Sequence, residues 1–281
     1  MNRQPQSSDA SARAAHINVD FNALREVAYL GVRRAAAFLS IGLATTEDYV
    51  PISFAIEKHS SWRFLPEPVP ESLAKDAVKE FRSWLIGNAL RELDLHFSLF
   101  LDQISWYVRL SKLHGKRVRT THIIKTISGE TNAAKKYDTV MRELGELEPD
   151  TSMLRSLSNA RNCLAHSNGV VGPRHANADG SLEIRWLGLQ ARLTEGEKQT
   201  ILPPVFEPIY VPGGGTIELV VTERERYFSI GEKIDLTPYD LHEICFYYLQ
   251  LTDQVTTKFA ADLASRGIGA AEASSATVPP E

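Results

Sequence analysis

Ser158-Asn159-Ala160-Arg161-Asn162-Cys163-Leu164-Ala165-His166-Ser167-Asn168-Gly169 is the stretch on which the reading of this chain turns. It has the form of the last turns of a helix, closed by a glycine. Leu154, Leu157, Arg161 and Leu164 fall on one helical row, which points the guanidinium of Arg161 towards the packed side. An unpaired charge there is costly. Such an arginine is either paired or put to use, and His166 follows it within the same turns.

The flanking segments supply a helical frame. Upstream, residues 71 to about 114 carry one long helical pattern. Phe81, Trp84, Leu85, Leu93, Phe97, Phe100, Leu101, Ile104, Tyr107 and Val108 form its apolar stripe. Gly87 inside it marks a close helix contact or a bend. So much apolar surface needs several partners or a second subunit. Residues 131–146 return to helix, Pro149 breaks it, and Asp150, Thr151 or Ser152 caps the motif helix. Nearer the N-terminus, residues 16–44 read as an amphipathic helix with Asp20 as its N-cap. Residues 48–70 read as an irregular connector with one short strand.

Downstream the character changes. Residues 182–189, 217–222 and 227–230 read as strands punctuated by proline and glycine, and Pro238 opens a last helix reaching about residue 265. The expected fold is therefore mainly α. It is a helical bundle with a small antiparallel β insertion, at about 175–237, before the last helix. Residues 16–266 form the single domain, and 1–15 and 267–281 are expected to be disordered tails.

Arg161, the polar Asn162 and His166 together resemble the signature of the HEPN superfamily, whose arginine, polar residue and histidine follow one another over a short gap on a helix. The resemblance covers the motif and its helical frame, roughly residues 70–170 plus the last helix. It implies a HEPN-like bundle acting as a homodimeric endoribonuclease, with two motifs facing one cleft, in a toxin-like or defence-related setting with a protein inhibitor. One toxin subgroup carries a tyrosine two residues after the histidine. Asn168 stands there, so that subgroup and its regulation are not implied.

The residue chemistry is consistent with that implication. A histidine moves a proton near neutrality, and an arginine neutralises a phosphate through paired hydrogen bonds. The pair suits RNA cleavage with no metal or cofactor: a deprotonated 2′-hydroxyl attacks its own phosphate and leaves a cyclic phosphate. His166 would serve as base or acid and Arg161 would hold the growing charge. Asn162 would orient the imidazole or donate to a phosphate oxygen. The rival reading has Arg161 paired with a carboxylate of the long helix, Glu92 or Asp94, and His166 merely closing the helix end.

Residues 109–125 contain no acid but carry Lys112, Lys116, Arg117, Arg119 and Lys125, which are expected to contact RNA phosphates. Trp106 and Tyr107 adjoin them as stacking or core residues. The chain as a whole, 281 residues with net charge −4, has no global attraction for nucleic acid, so such binding has to be local. Cys163 and Cys245 are the only cysteines, and they argue against a disulfide framework. Residues 1–15 lack a signal-peptide core, and no unbroken apolar run approaches the ~20 residues that span a bilayer. A cytoplasmic protein without a membrane partner is expected. Two further functions stay open: a non-catalytic RNA-binding or dimerisation module using the same cleft, and a module binding a protein partner through the β insertion.

Overall fold

The computed structural model describes residues 18–44, 53–57, 60–63, 70–115, 130, 132–202 and 214–268. Of the expected terminal tails, residues 1–15 and 269–281 lie outside these residues, whereas the Gly267 and Ile268 amides close the end of the last helix on the Ala264 and Leu263 carbonyls. So do Lys116, Arg117, Arg119 and Lys125.

Helix α1 (Phe21–Ala44) is capped by Asp20, whose Oδ1 accepts the Asn22 and Ala23 amides at 2.9 and 3.0 Å. A hairpin of β1 (Ser53–Glu57) and β2 (Ser60–Arg63) follows, two strands where one was expected. Helix α2 (Glu71–Ser111) is the axis of the molecule and packs against α1, α3 (Ala133–Glu143), α4 (Ser152–Ser167) and α5 (Pro238–Ser265). Phe97, Phe100 and Tyr248 lie at the centre of one continuous core. Helix α1 runs antiparallel to α2, with Gly31 against His96 and Gly42 against Leu85. Arg34 Nε donates to Glu92 Oε2 across the pair at 2.8 Å.

Among the described residues α1 alone is long and apolar enough, by length and composition, to cross a bilayer, although it is not an unbroken apolar run. Here Leu24, Ala28, Val32, Ala35 and Leu39 bury one face in the core, while Arg25, Glu26, Arg33 and Arg34 interrupt the rest.

The sheet is three-stranded and antiparallel in the order β4-β3-β5, from β3 (Ser181–Glu195), β4 (Lys198–Ile201) and β5 (Thr216–Ser229). The two segments expected near 217–222 and 227–230 are one strand. The intervening Glu223-Arg224-Glu225-Arg226 looks like a break but alternates across the sheet. Arg224 and Arg226 reach the buried Glu243 and Asp240 of α5, while Glu223 pairs with Arg185 on the other face. Leu182, Ile184 and Trp186 of β3 turn inward. Trp186 Nε1 donates to Glu243 Oε2 at 3.1 Å, and the Glu243 carboxylate occupies the space a side chain at Gly188 would need.

Helix α5 begins at Pro238, with Thr237 and Asp240 in a reciprocal capping box. Helix α4 is held from two sides. Ser156 Oγ accepts the Arg185 amide of β3 at 2.9 Å, and Gly87 of α2 lets the Leu164 backbone approach. A Cβ at Gly87 would lie 3.1 Å from Leu164 Cβ. Gly87→Val is therefore expected to force α2 and α4 apart and to cost about 1–3 kcal/mol, with Gly87→Ala milder. Denaturant unfolding of the two variants checks this order.

Candidate functional site

Helix α4 ends with Asn168 in the left-handed region (φ 49°) and Gly169 at φ 78°. The Gly169 amide donates back to the Cys163 carbonyl at 3.2 Å. Gly169 and Val171 then bond to Ile234 and Glu232, so the last turn of α4 is pinned to the segment leading into α5. That turn carries His166 exposed, its imidazole making no hydrogen bond to a described residue.

Arg161 lies on the helical row of Leu154, Leu157 and Leu164 and is paired, as the rival reading required. Its Nη1 donates to Asp94 Oδ2 at 2.8 Å. Glu92, the other candidate, faces α1 instead. The pairing does not bury the guanidinium: the Arg161 side chain is 29% exposed against 6% for Asp94. Asn162 Oδ1 accepts from Arg161 Nε and Nη2 at 3.3 and 2.9 Å. Three of the five guanidinium N–H groups are thus fixed and two remain for an external anion. Asn162 orients the arginine rather than the imidazole, one of the two roles expected of it, and keeps its amide nitrogen as a donor.

Asp94 is a hub within the core. Tyr248 Oη donates to its Oδ1 at 2.5 Å, and Ser158 Oγ to its Oδ2 at 3.3 Å. Burial raises the Asp94 pKa, and the Tyr248, Arg161 and Ser158 contacts offset that only in part. Burial, with Asp94 beside it, likewise pushes the Tyr248 hydroxyl far up.

Between α2 and the end of α4 lies an open cleft of about 570 Å³. Trp84, Gly87, Asn88 and Arg91 form one wall, and Arg161, Asn162, Leu164, Ala165, His166 and Asn168 the other. The three motif residues share this cleft, and no lining residue is acidic. Trp84, Asn88 and Arg91 escaped the sequence reading, which set Trp84 in the apolar stripe; it is 60% exposed. Their spacing is that of a single helix face turned away from Leu85, Leu93 and Phe97, and that signal was legible. Arg174 was also missed. It donates to Ser167 Oγ at 3.0 Å and to His175 Nε2 at 3.1 Å, and burial, Arg174 and His166 together lower the His175 pKa.

Of the expected RNA-contacting residues, only Lys112 is described; it is exposed at the end of α2, outside the cleft lining. Trp106 and Tyr107 meet edge-on, and Tyr107 packs towards Phe259. Cys163 is buried and its thiol faces the Val170 carbonyl at 3.3 Å; burial raises its pKa. Among the described residues, no three His, Cys, Asp or Glu side chains are grouped to hold a metal ion. Among the exposed apolar side chains are Leu30, Phe38 and Ile41 on α1, Leu95 and Leu99 on α2, and Ile217, Leu219 and Val221 on β5.

Comparison with protein-family models, curated proteins and solved structures finds no match to this chain.

Tyr248→Phe leaves Asp94 Oδ1 buried without its donor and is expected to cost about 1–3 kcal/mol of stability. Because the fold raises the Asp94 pKa, the folded chain keeps this proton over a window where the unfolded chain has lost it. Its contribution to stability therefore falls as pH rises from the ordinary aspartate range through the raised value. Asp94→Asn is expected to flatten that dependence, measured as denaturation midpoints across the acid range.

Proposed function

We propose that this chain is a HEPN-type, metal-independent endoribonuclease that works as a homodimer. The carrying observation is the acid-free cleft in which Arg161, held by Asp94 and Asn162, opens beside an unencumbered His166. A phosphodiester entering there meets the two unused N–H groups of Arg161 and the amide of Asn162. His166 takes the 2′-hydroxyl proton or delivers one to the leaving 5′-oxygen. The 2′-oxygen attacks phosphorus, the bond to the 5′-oxygen breaks, and the products are a cyclic phosphate and a 5′-hydroxyl. The growing charge on the non-bridging oxygens is neutralised by Arg161.

One imidazole per cleft supplies one proton-transfer group, so a second motif from a paired subunit completes the acid–base couple. Leu95 and Leu99, exposed on α2 beyond the cleft, are suited to the subunit contact. The biological setting suggested by the resemblance is toxin-like or defence-related, with a protein inhibitor, and the two free cysteines fit a reducing, cytoplasmic location.

Two other readings each have an observation in their favour. The Arg161–Asp94 pair would equally serve a cleft that binds RNA without cutting it. The row Ile217, Leu219 and Val221, opposite Leu193, Ala191 and Leu189 of β3, is suited to a protein partner.

Cleavage of a mixed-sequence RNA in excess EDTA separates these. Wild type is expected to cut and leave cyclic phosphate ends. His166→Ala is expected to slow cutting about 10²–10⁴-fold and Arg161→Ala about 10²–10³-fold, both variants staying folded. A folded wild type that binds RNA without cutting it leaves a binding module. No cutting and no binding leaves the sheet and a protein partner. Leu95→Glu with Leu99→Glu is expected to convert a dimer to a monomer in light scattering and to abolish cutting together with it.

A further inference from the structure

Trp84 is the least expected side chain of the cleft, because the large aromatics Phe97 and Phe100 of the same helix are buried. Phe81 stacks on its indole, with ring centres 5.9 Å apart and planes 24° apart. That contact steadies the ring, and Trp84 remains 60% exposed. Asn88 donates its amide to the Trp84 carbonyl at 2.8 Å, which leaves the Asn88 carboxamide oxygen as an acceptor in the cleft. Arg91, about 10 Å further along the helix axis, makes no ion pair with a described residue.

The antiparallel register places these groups along the cleft. Gly87 lies against Leu164 and Ala165, and Asp94 against Ser158 and Arg161. Trp84 therefore stands towards the His166 end and Arg91 towards the Arg161 end. The wall runs from an aromatic face through an amide to a guanidinium, and apolar exposure resumes only at Leu95. That sequence of groups complements a base and a phosphate better than the side chains of a protein partner.

We propose that Trp84 is a stacking platform for one unpaired base and Arg91 the clamp of a neighbouring phosphate, so that the cleft takes single-stranded RNA and rejects duplex. The inference rests on the ribonuclease reading for the kind of polymer. In a duplex, base faces are covered by their neighbours, whereas an unpaired base offers its face to an aromatic ring.

The test measures binding of a short 2′-O-methyl RNA, which lacks the attacking hydroxyl, as a single strand and as a duplex. Wild type is expected to prefer the single strand. Trp84→Ala is expected to weaken that binding about 10- to 100-fold, with Trp84→Phe keeping most of it. Arg91→Ala is expected to reduce the slope of log affinity against log salt by about 0.7. Both side chains are exposed, so the variants are expected to melt as wild type does.

Single-strand binding unchanged by Trp84→Ala overturns the platform and leaves the ribonuclease reading standing. Equal binding of duplex overturns it as well. A changed oligomeric state in Trp84→Ala, with unchanged RNA affinity, overturns it in favour of a protein contact. No binding of either RNA by wild type overturns the ribonuclease reading itself, and the platform with it.

Discussion

The carboxylate of Asp94 is the point on which three helices agree. It is carried by α2, it receives Tyr248 from α5, and it receives Ser158 and Arg161 from α4. A carboxylate this deep is costly unless each oxygen is satisfied, because burial penalises its charged form. Here one oxygen takes the phenol and the other takes the guanidinium and the hydroxyl. The contacts are directional, so they fix the rotation of α4 against α2 in a way that apolar packing alone does not. What looks like a structural ion pair is therefore also the reason a guanidinium stands at a defined place in an open cleft.

The sheet serves the same end from behind. Trp186 and Arg224 meet Glu243 of α5, Arg226 meets Asp240, and Ser156 ties α4 to β3. Buried Glu243 and Asp240 each have a cationic partner, which explains why a strand dense in charge packs on a helix. The sheet braces α4 and α5, the two helices that bring donors to Asp94. The last turn of α4, with His166, is fixed in turn by the left-handed residues after it and by bonds to the segment before α5.

Much of the architecture was legible in periodicity and punctuation. The caps at Asp20 and Pro238, the close approach at Gly87 and the position of the motif near the end of α4 follow from local chemistry. Where the reading slipped, the physical reason is specific. Glu223 to Arg226 resembled a break because pattern alone does not reveal that the partners of Arg224 and Arg226 lie on α5. Trp84 resembled core because aromatic residues are normally buried, although its place on a helix face away from Leu85, Leu93 and Phe97 set it apart. The choice between Glu92 and Asp94 as partner of Arg161 needed the packing of α1, which turns Glu92 to Arg34. Trp84, Asn88 and Arg91 become a wall of the cleft only once Gly87 has brought α4 against α2.

On the ribonuclease proposal Arg161, though paired with Asp94, still meets a phosphate. Side-chain nitrogen NMR of arginine tests it most directly, with the Arg161 signal assigned by its loss in Arg161→Lys and followed on addition of a non-cleavable dinucleotide. A saturable shift of the Arg161 Nη–H signals is expected, while the Asp94–Tyr248 contact persists. A signal that stays in place while the dinucleotide binds elsewhere would contradict it and leave Arg161 a structural residue.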